Sequence, residues 1–323
     1  MHGPFVSLVI VTWNCKDYVL ECLQSVFKNK GVDFEVLVRD NGSNDGTVQM
    51  IREVFSQVRL IGNGKNVGFA AANNEAIDHA RGAYILLLNP DTVLPQGAIS
   101  ELVSELNSRS DLRVVVPTLL NHDSTLQSSI HNFPTISNII GTDIRALLRS
   151  INTKRFQKGE LEPKIDWVRG ACLLLPKTVI EQVGNLDENL FMYGEDLDYC
   201  WRLNKAGYQI VWAKSVKVVH HGNVSGMQKW GNYRLVKTNQ GLNYFWIKHF
   251  GFGYAIVATF IKVLSLLARS LVSFVTGSVI TDANQRMKGI MNWRNLLALL
   301  KAWCDADGWG LYRKGLRWRK ENP

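Results

Sequence analysis

Val6-Ser7-Leu8-Val9-Ile10-Val11 runs directly into Thr12-Trp13-Asn14. The first six residues form a short, largely β-branched apolar run, the pattern of a strand buried on both faces. The polar residues after it mark the strand's carboxyl end. Further along the chain, residues 16–28 carry apolar side chains at Val19, Leu20, Leu23, Val26 and Phe27, one face of a helix. Strands at 34–38, 58–61 and 83–88 then alternate with helices at 47–55 and 69–80. Such alternation predicts an α/β fold, a mostly parallel sheet with right-handed crossovers and flanking helices. Ligands of such sheets bind beyond the carboxyl ends of the strands. Three polar clusters follow strands directly: Thr12-Trp13-Asn14, Asp40-Asn41-Gly42-Ser43 and Asn89-Pro90-Asp91.

Residues 117–164 show weak periodicity and read as loops with one helix near 139–151. A strand resumes at 168–175, a helix follows at 195–206, and 209–213 with 216–220 read as a strand pair. The expected organisation is a catalytic domain over 1–225, a connecting helical region over 226–251, and an apolar, basic helical segment over 252–323.

The chain has 323 residues, 46% hydrophobic and 20% charged, which excludes disorder and a disulfide-stapled miniprotein. Five scattered cysteines without a CxxC pair disfavour structural zinc and fit a reducing compartment. The amino terminus lacks a signal-peptide pattern, so a cytoplasmic location is expected. The net charge is +9, of which +7 lies beyond residue 251, where 11 Lys and Arg face four Asp and Glu. Charge concentrated beside an apolar stretch points to an anionic membrane surface rather than to nucleic acid.

Each cluster has a chemical and a structural reading. Asp40 can accept the imide N–H of a uracil or thymine base; its neighbours also suit a turn with a helix cap at Asn44 or Asp45. Asn66-Val67-Gly68-Phe69 opens a small-residue helix whose amino end favours phosphate, or which packs closely on the sheet. GxGxxG is missing after the first strand, which demotes a hydride-transferring oxidoreductase. Asp91 offers a hard oxygen ligand for a cation that bridges a diphosphate, or ends a proline turn. Glu195-Asp196-Leu197-Asp198 crowds three carboxylates among aromatic residues, where repulsion raises pKa values and suits a general base. Asp198 can instead pair with Arg202, four residues on. His220 can complete a metal site with Asp91, with His221 as the alternative ligand.

The ordered set 9–14, 40–47, 66–70, 88–91, 170–172, 193–198 and His220…Ser225 resembles family 2 glycosyltransferases, closest to bacterial rhamnosyltransferases of O-antigen and cell-wall polysaccharide synthesis. The resemblance spans about residues 5–250. It implies the GT-A fold, a nucleotide-sugar donor (dTDP-L-rhamnose) and an inverting mechanism. By it, Thr12 and Asn14 border the nucleotide, Asp40 binds the base, and Asn66, Gly68 and Phe69 line the diphosphate. Asp91 matches the second Asp of the DxD metal motif, Asn89 replaces the first, and Mg2+ or Mn2+ is implied. Asp196 matches the general base, with Glu195 orienting it or the acceptor. His131 stands where relatives often carry Arg. Trp167, Arg169, Gly170 and Asp198 are the candidates for the acceptor side or its support. The implied acceptor is a polyprenyl-diphosphate-linked saccharide. The alternatives are a nucleotidyltransferase, which shares a similar sheet, and a catalytically silent glycan-assembly scaffold.

Residues 252–280 are apolar apart from small polar residues, Lys262 and Arg269. At 100° per residue Thr259, Lys262, Ser265, Arg269, Ser273 and Thr276 form one polar stripe, the pattern of an in-plane amphipathic anchor on the cytoplasmic face of the cell membrane. Tryptophan interleaved with cations over 309–320 suits the headgroup zone. The alternative is a helical subdomain that packs these faces on the catalytic unit or in a homo-oligomer.

Overall fold

A computed structural model describes residues 5–62, 64–108, 113–142, 165–222, 224–279 and 283–322. The chain forms two compact units, residues 1–131 with 165–231 and residues 132–164 with 232–323.

The first unit is built on an eight-stranded mixed sheet. Its elements are β1 (Val6–Thr12), α1 (Lys16–Phe27), β2 (Phe34–Asp40), α2 (Thr47–Val54), β3 (Arg59–Ile61), α3 (Phe69–Asp78), β4 (Tyr84–Leu88), β5 (Thr92–Val93), α4 (Ala98–Asn107) and β6 (Arg113–Leu120). A two-stranded ribbon of β7 (Ile130–His131) and β8 (Trp167–Val168) precedes β9 (Cys172–Pro176), α5 (Lys177–Val183), α6 (Glu195–Lys205), β10 (Gln209–His220) and α7 (Val224–Trp230). The sheet order is β3-β2-β1-β4-β9-β6-β10-β5, with β9 and β5 antiparallel to their neighbours. All of β1 is buried, as its composition predicts. Val6, Leu8 and Ile10 join Val19, Leu23 and Val26 of α1 in one core, and strand alternation sends Val9 to the opposite face. Each such side chain contributes about 1.5–3 kcal/mol on burial.

Register decides what this sheet can hold. Thr12 pairs with Asp40 and Ile10 with Leu88, so the polar clusters after β1, β2 and β4 leave the sheet at one edge. Leu88 also pairs with Cys172, which brings the turn before β9 to that edge, and His220 at the end of β10 pairs with Thr92.

Three expectations change. The pair 209–213 and 216–220 is one strand, β10, whose register along β6 shifts between Ala213 and Lys217, an irregularity that reads as a break in sequence. The strand at 168–175 is split by a turn at 169–171, where Ala171 N–H donates to the Arg169 carbonyl. That turn lets the chain pair with β7 before it and with β4 after it. Of the helix near 139–151, residues 136–142 are helical and 143–151 lie outside the described residues.

The second unit contains α8 (Arg234–Phe250), α9 (Phe252–Val279), α10 (Ala283–Cys304) and α11 (Ala306–Glu321). The expected connector 226–251 is thereby divided, because α8 packs against all three other helices and buries Tyr244, Phe245 and Trp246 completely. Trp246 Nε1 donates to the Pro134 carbonyl at 2.7 Å, and Ile136 N donates to Tyr254 at 2.8 Å, which ties residues 132–142 to this unit.

The polarity of α9 is inverted. Thr259, Ser270 and Ser273 are buried, and Lys262, Ser265 and Arg269 are half-buried. Thr259 accepts a bond from Trp303 Nε1 at 3.1 Å, while Lys262 Nζ approaches Asn239 Oδ1 at 3.5 Å. Every exposed position from 253 to 275 is glycine or an apolar residue, among them Ile256, Phe260, Leu264, Leu267 and Leu271. An in-plane helix would present its polar stripe to water or headgroups. Here that stripe faces the other helices and the apolar face points out; the Thr276 side chain lies outside the described residues. Phe252–Val275 is long and apolar enough to cross a membrane by length and composition, with mean hydropathy 1.9.

Leu23→Ala, a cavity in the sheet core, is expected to lower unfolding free energy by about 2–5 kcal/mol. Leu271→Ala, at a side chain 66% exposed, is expected to change it by less than about 0.5 kcal/mol. Chemical denaturation of both variants checks the contrast.

Candidate active site

The ends of β1 and β2 are laced together. Asn41 N–H donates to the Thr12 carbonyl at 2.8 Å, Asn14 N–H to Ser43 Oγ at 2.9 Å, and Asn44 N–H to Asn14 Oδ1 at 2.8 Å. Asn14 holds φ +48°, a left-handed conformation in which its side chain reaches this partner. Thr12 is buried with its hydroxyl 3.1 Å from Cys15 Sγ. Both residues shape the rim.

Asp40 combines its two readings. Its Oδ2 accepts from Gly42 N–H at 2.9 Å and Ser43 N–H at 3.0 Å, a tight turn. Its Oδ1 is buried with no hydrogen-bond partner among the described residues. Leaving a buried carboxylate oxygen unmatched costs about 1–3 kcal/mol, so this atom marks a place for a donor. The expected cap residue Asp45 does bond Thr47, although the residue preceding α2 is Gly46.

The start of α3 departs from the phosphate-cradle expectation. Gly68 N–H is taken by Asn66 Oδ1 at 3.1 Å and Phe69 N–H by the Phe191 carbonyl at 2.7 Å. These two amides are occupied within the protein, so Asn66, Gly68 and Phe69 form a wall. Gly68 is required there: it has φ +94°, and a Cβ would lie 2.7 Å from the Phe191 carbonyl oxygen.

Asp91 and His220 meet at the same edge, Oδ1 to Nε2, at 3.3 Å. Gln127 fixes the imidazole. Its Nε2 donates to Asn121 Oδ1 at 3.0 Å and the His220 carbonyl at 3.1 Å, so its Oε1 is the atom 2.7 Å from His220 Nδ1. Nδ1 therefore carries the proton, and in the neutral ring Nε2 presents a lone pair beside the Asp91 carboxylate. A carbonyl oxygen that holds the far ring nitrogen and sets the tautomer is the arrangement of a metal-ligating histidine. Asn89 places Nδ2 3.4 Å from the same Nε2, and its buried Oδ1 has no partner among the described residues. His221 turns elsewhere, its Nε2 3.2 Å from Glu21 but out of hydrogen-bonding alignment, its ring against Tyr18 and His122. Among the described residues no three His, Cys, Asp or Glu side chains cluster as a closed metal site. The pair fits an open one, with further ligands from a bound diphosphate.

The Arg169–Ala171 turn connects this edge to α6. Ala171 accepts from Asn89 N–H at 2.9 Å, and the Gly170 backbone lies against Asp196. Phe69, Leu87, Val168, Gly170, Glu195 and Asp196 border one small apolar cavity of about 20 Å³. Burial raises the pKa of Asp196, against bonds from Leu197 and Gly170 amides and the Arg169 charge. Burial, and then the neighbouring Asp196 charge, raise that of Glu195, whose Oε2 has no partner among the described residues. Tyr193, two residues before Glu195, holds φ +73°, an uncommon conformation for a bulky residue.

Of the remaining candidates, Trp167 stacks on His131 with centroids 4.6 Å apart. Burial and then the Arg169 charge lower the His131 pKa. Asp198 takes the structural alternative: wholly buried, it binds Arg202 Nε at 2.9 Å, and Arg202 also bonds the Val183 and Asn185 carbonyls. Gln127, Asn41 and Ser43 were missed as positioning residues; an isolated glutamine in a loop carries no sequence signal, whereas Asn41 and Ser43 lay inside a cluster already singled out.

Residues 7–184 match the family model described as Glycosyl transferase family 2. An N-acetylglucosaminyl-diphospho-decaprenol L-rhamnosyltransferase of Mycobacterium tuberculosis is 30% identical over 235 residues, 67% of this chain and 76% of that protein. Rhamnosyltransferase WbbL of Escherichia coli (strain K12) is 25% identical over 249 residues, 72% of this chain and 90% of its own. A Pyrobaculum calidifontis mannosyltransferase solved with GDP-Man and Mn2+ shares the fold at TM-score 0.59 and 17% identity, covering 94% of this chain and 88% of that one. The chain belongs to glycosyl transferase family 2, with a GT-A-like fold, and is a nucleotide-sugar-dependent glycosyltransferase. The nucleotidyltransferase alternative falls with that result.

The raised pKa of Glu195 has a sign for stability. A buried carboxyl whose folded pKa exceeds the unfolded value, about 4.3, binds more protons when folded, so stability falls as pH rises above that value. Glu195→Gln removes the ionisation. Its melting temperature relative to the unmodified protein is expected to climb steadily from pH 4 to pH 8; a pH-independent difference would show that Glu195 is not held out of water.

Proposed function

We propose that this glycosyltransferase moves L-rhamnose from dTDP-L-rhamnose to a hydroxyl of a polyprenyl-diphosphate-linked saccharide, with inversion, at the cytoplasmic face of the cell membrane. The observation that carries the reading is that the 169–171 turn grips Asn89 on one side and Asp196 on the other, while Phe69 shares a cavity with Asp196. Donor wall and base thereby adjoin one pocket. The names of the mycobacterial and E. coli relatives support rhamnose as the sugar, and the mycobacterial name supports a lipid diphosphate acceptor.

On this reading each residue of the site has a role. The buried Oδ1 of Asp40 accepts the imide N–H of thymine. Asp91 and His220 would hold Mg2+ or Mn2+, and Asn89 stands beside them. Bound there, such a cation supplies charge neutralisation to the departing diphosphate. The acceptor hydroxyl oxygen attacks the anomeric carbon in line as the bond to the diphosphate oxygen breaks, and Asp196 takes the hydroxyl proton. Its raised pKa suits that task, since a base works best near the operating pH. Glu195 is the second acid of the pair, its own pKa raised by burial and then by the Asp196 charge. Arg169 and the His131–Trp167 stack belong to the acceptor side.

The inverted face of α9 supports the membrane location. The helix has 28 residues, about 42 Å at 1.5 Å per residue, and no acidic residue. Its exposed apolar side chains fit lipid, and the cations of the neighbouring helices fit anionic headgroups.

Asp196→Asn is expected to reduce kcat by about 10²–10⁴-fold with dTDP affinity unchanged. Steady-state kinetics with calorimetric titration of dTDP checks this; turnover near that of the unmodified enzyme would remove Asp196 from the base role. Leu264→Glu with Leu271→Glu, both at exposed positions, is expected to abolish co-sedimentation with phosphatidylglycerol vesicles while leaving the folded protein intact by circular dichroism. Unchanged sedimentation would exclude this face as the lipid contact.

A further inference from the structure

Lys229 lies on α7, outside every motif that led to the active site. Its Nζ sits 4.0 Å from the ring centroid of Phe191, 5.5 Å from that of Trp230 and 5.6 Å from that of Trp13. Tyr193 completes the cluster, its ring 5.6 Å from Trp230. These rings are not a random surface patch. Trp13 stands between Thr12 and Asn14 at the end of β1. Phe191 bonds the first amide of α3 through its carbonyl, and Tyr193 leads into α6. The ammonium is thus held over the rim formed by the three segments that border the proposed donor pocket.

Lys229 is exposed at the rim, where a ligand can reach it. Aromatic faces attract a cation but leave its charge uncompensated. Lys229 makes no ion pair among the described residues, and partial burial lowers its pKa. Apart from His220, the ionisable groups assigned to the donor and base are acids: Asp40, Asp91, Glu195 and Asp196. A nucleoside diphosphate entering among them meets charge of its own sign. The nearby guanidinium groups are already engaged, Arg39 buried against Glu75 at 2.9 Å and Arg169 beside Asp196. At this rim Lys229 lies over aromatic rings rather than against a carboxylate.

We infer that Lys229 binds the diphosphate of the nucleotide-sugar, its ammonium stored on the Phe191, Trp13 and Trp230 rings until the donor arrives. The inference rests on the donor reading above and adds a residue to it. The ring cage keeps the cation at the rim without a carboxylate that the phosphate would have to displace. A lysine is suited to this use, being a flexible point charge on a long apolar stem that packs on rings in either position.

Lys229→Met preserves the stem and its ring contacts and removes the charge; Lys229→Arg keeps the charge. Calorimetric titration with dTDP, UDP, thymidine and uridine separates phosphate binding from base binding. A charge-assisted bond of this kind corresponds to about 10–100-fold in affinity. Lys229→Met is therefore expected to weaken dTDP or UDP by at least about tenfold, to leave the nucleosides unchanged, and to flatten the salt dependence of diphosphate binding. Lys229→Arg is expected to recover most of the loss. Equal diphosphate affinity in Lys229→Met, or an equal loss for the nucleosides, would overturn the inference while leaving the donor reading in place. Failure of the folded, unmodified enzyme to bind either diphosphate would overturn both.

Discussion

The site depends on one tight turn. Residues 169–171 bend between β8 and β9 so that Ala171 bonds Asn89 N–H at the end of β4 while Gly170 rests against Asp196 at the start of α6. Without that bend, the end of β4 at Asn89 and the start of α6 at Asp196, more than a hundred residues apart in sequence, would have no shared neighbour to bridge them. Antiparallel insertion of β9 beside β4 makes the turn possible, because only a strand running the opposite way begins at the edge where β1, β2 and β4 end. The departure from a parallel sheet and the placement of Asp196 are therefore the same fact.

Much of this was legible from residue order. β1 announced itself by six consecutive buried positions, and the polar residues behind β1, β2 and β4 marked the edge that the register later aligned. What was not legible has physical reasons. The split at 169–171 leaves no proline or polar run, only an Arg-Gly-Ala step inside an apolar stretch. The continuity of β10 is hidden by its shift between Ala213 and Lys217, where two polar residues interrupt the alternation. The occupied amide at Phe69 depends on a carbonyl from Phe191, a contact that no local pattern predicts. Gln127 is harder still, since its importance lies in fixing which nitrogen of His220 carries the proton. Asp198 shows the opposite case, an acidic residue in a suggestive cluster whose partner, Arg202, was the ordinary one at helical spacing.

The second unit repeats the lesson at larger scale. A polar stripe on an apolar helix suggests a surface anchor with its polar side in water. Packing reverses it: Thr259 meets Trp303, Lys262 approaches Asn239, and the apolar residues are left outside. For a helix in contact with lipid, burying those polar groups against helices that can bond them costs less than exposing them to hydrocarbon. On the proposed reading this face meets the membrane that carries the acceptor. A lipid-linked saccharide diffuses in two dimensions, and an enzyme held at the same surface encounters it there.

The central claim is that one pocket holds the donor between Asp91 and Asp196. A crystal structure of the enzyme with dTDP-L-rhamnose and Mn2+ tests it most directly. The account predicts the diphosphate at Asp91 and His220, and the anomeric carbon with its attack face open toward the Asp196 carboxylate. A sugar directed away from Asp196, or a diphosphate seated where neither Asp91 nor His220 can reach it, would contradict the account.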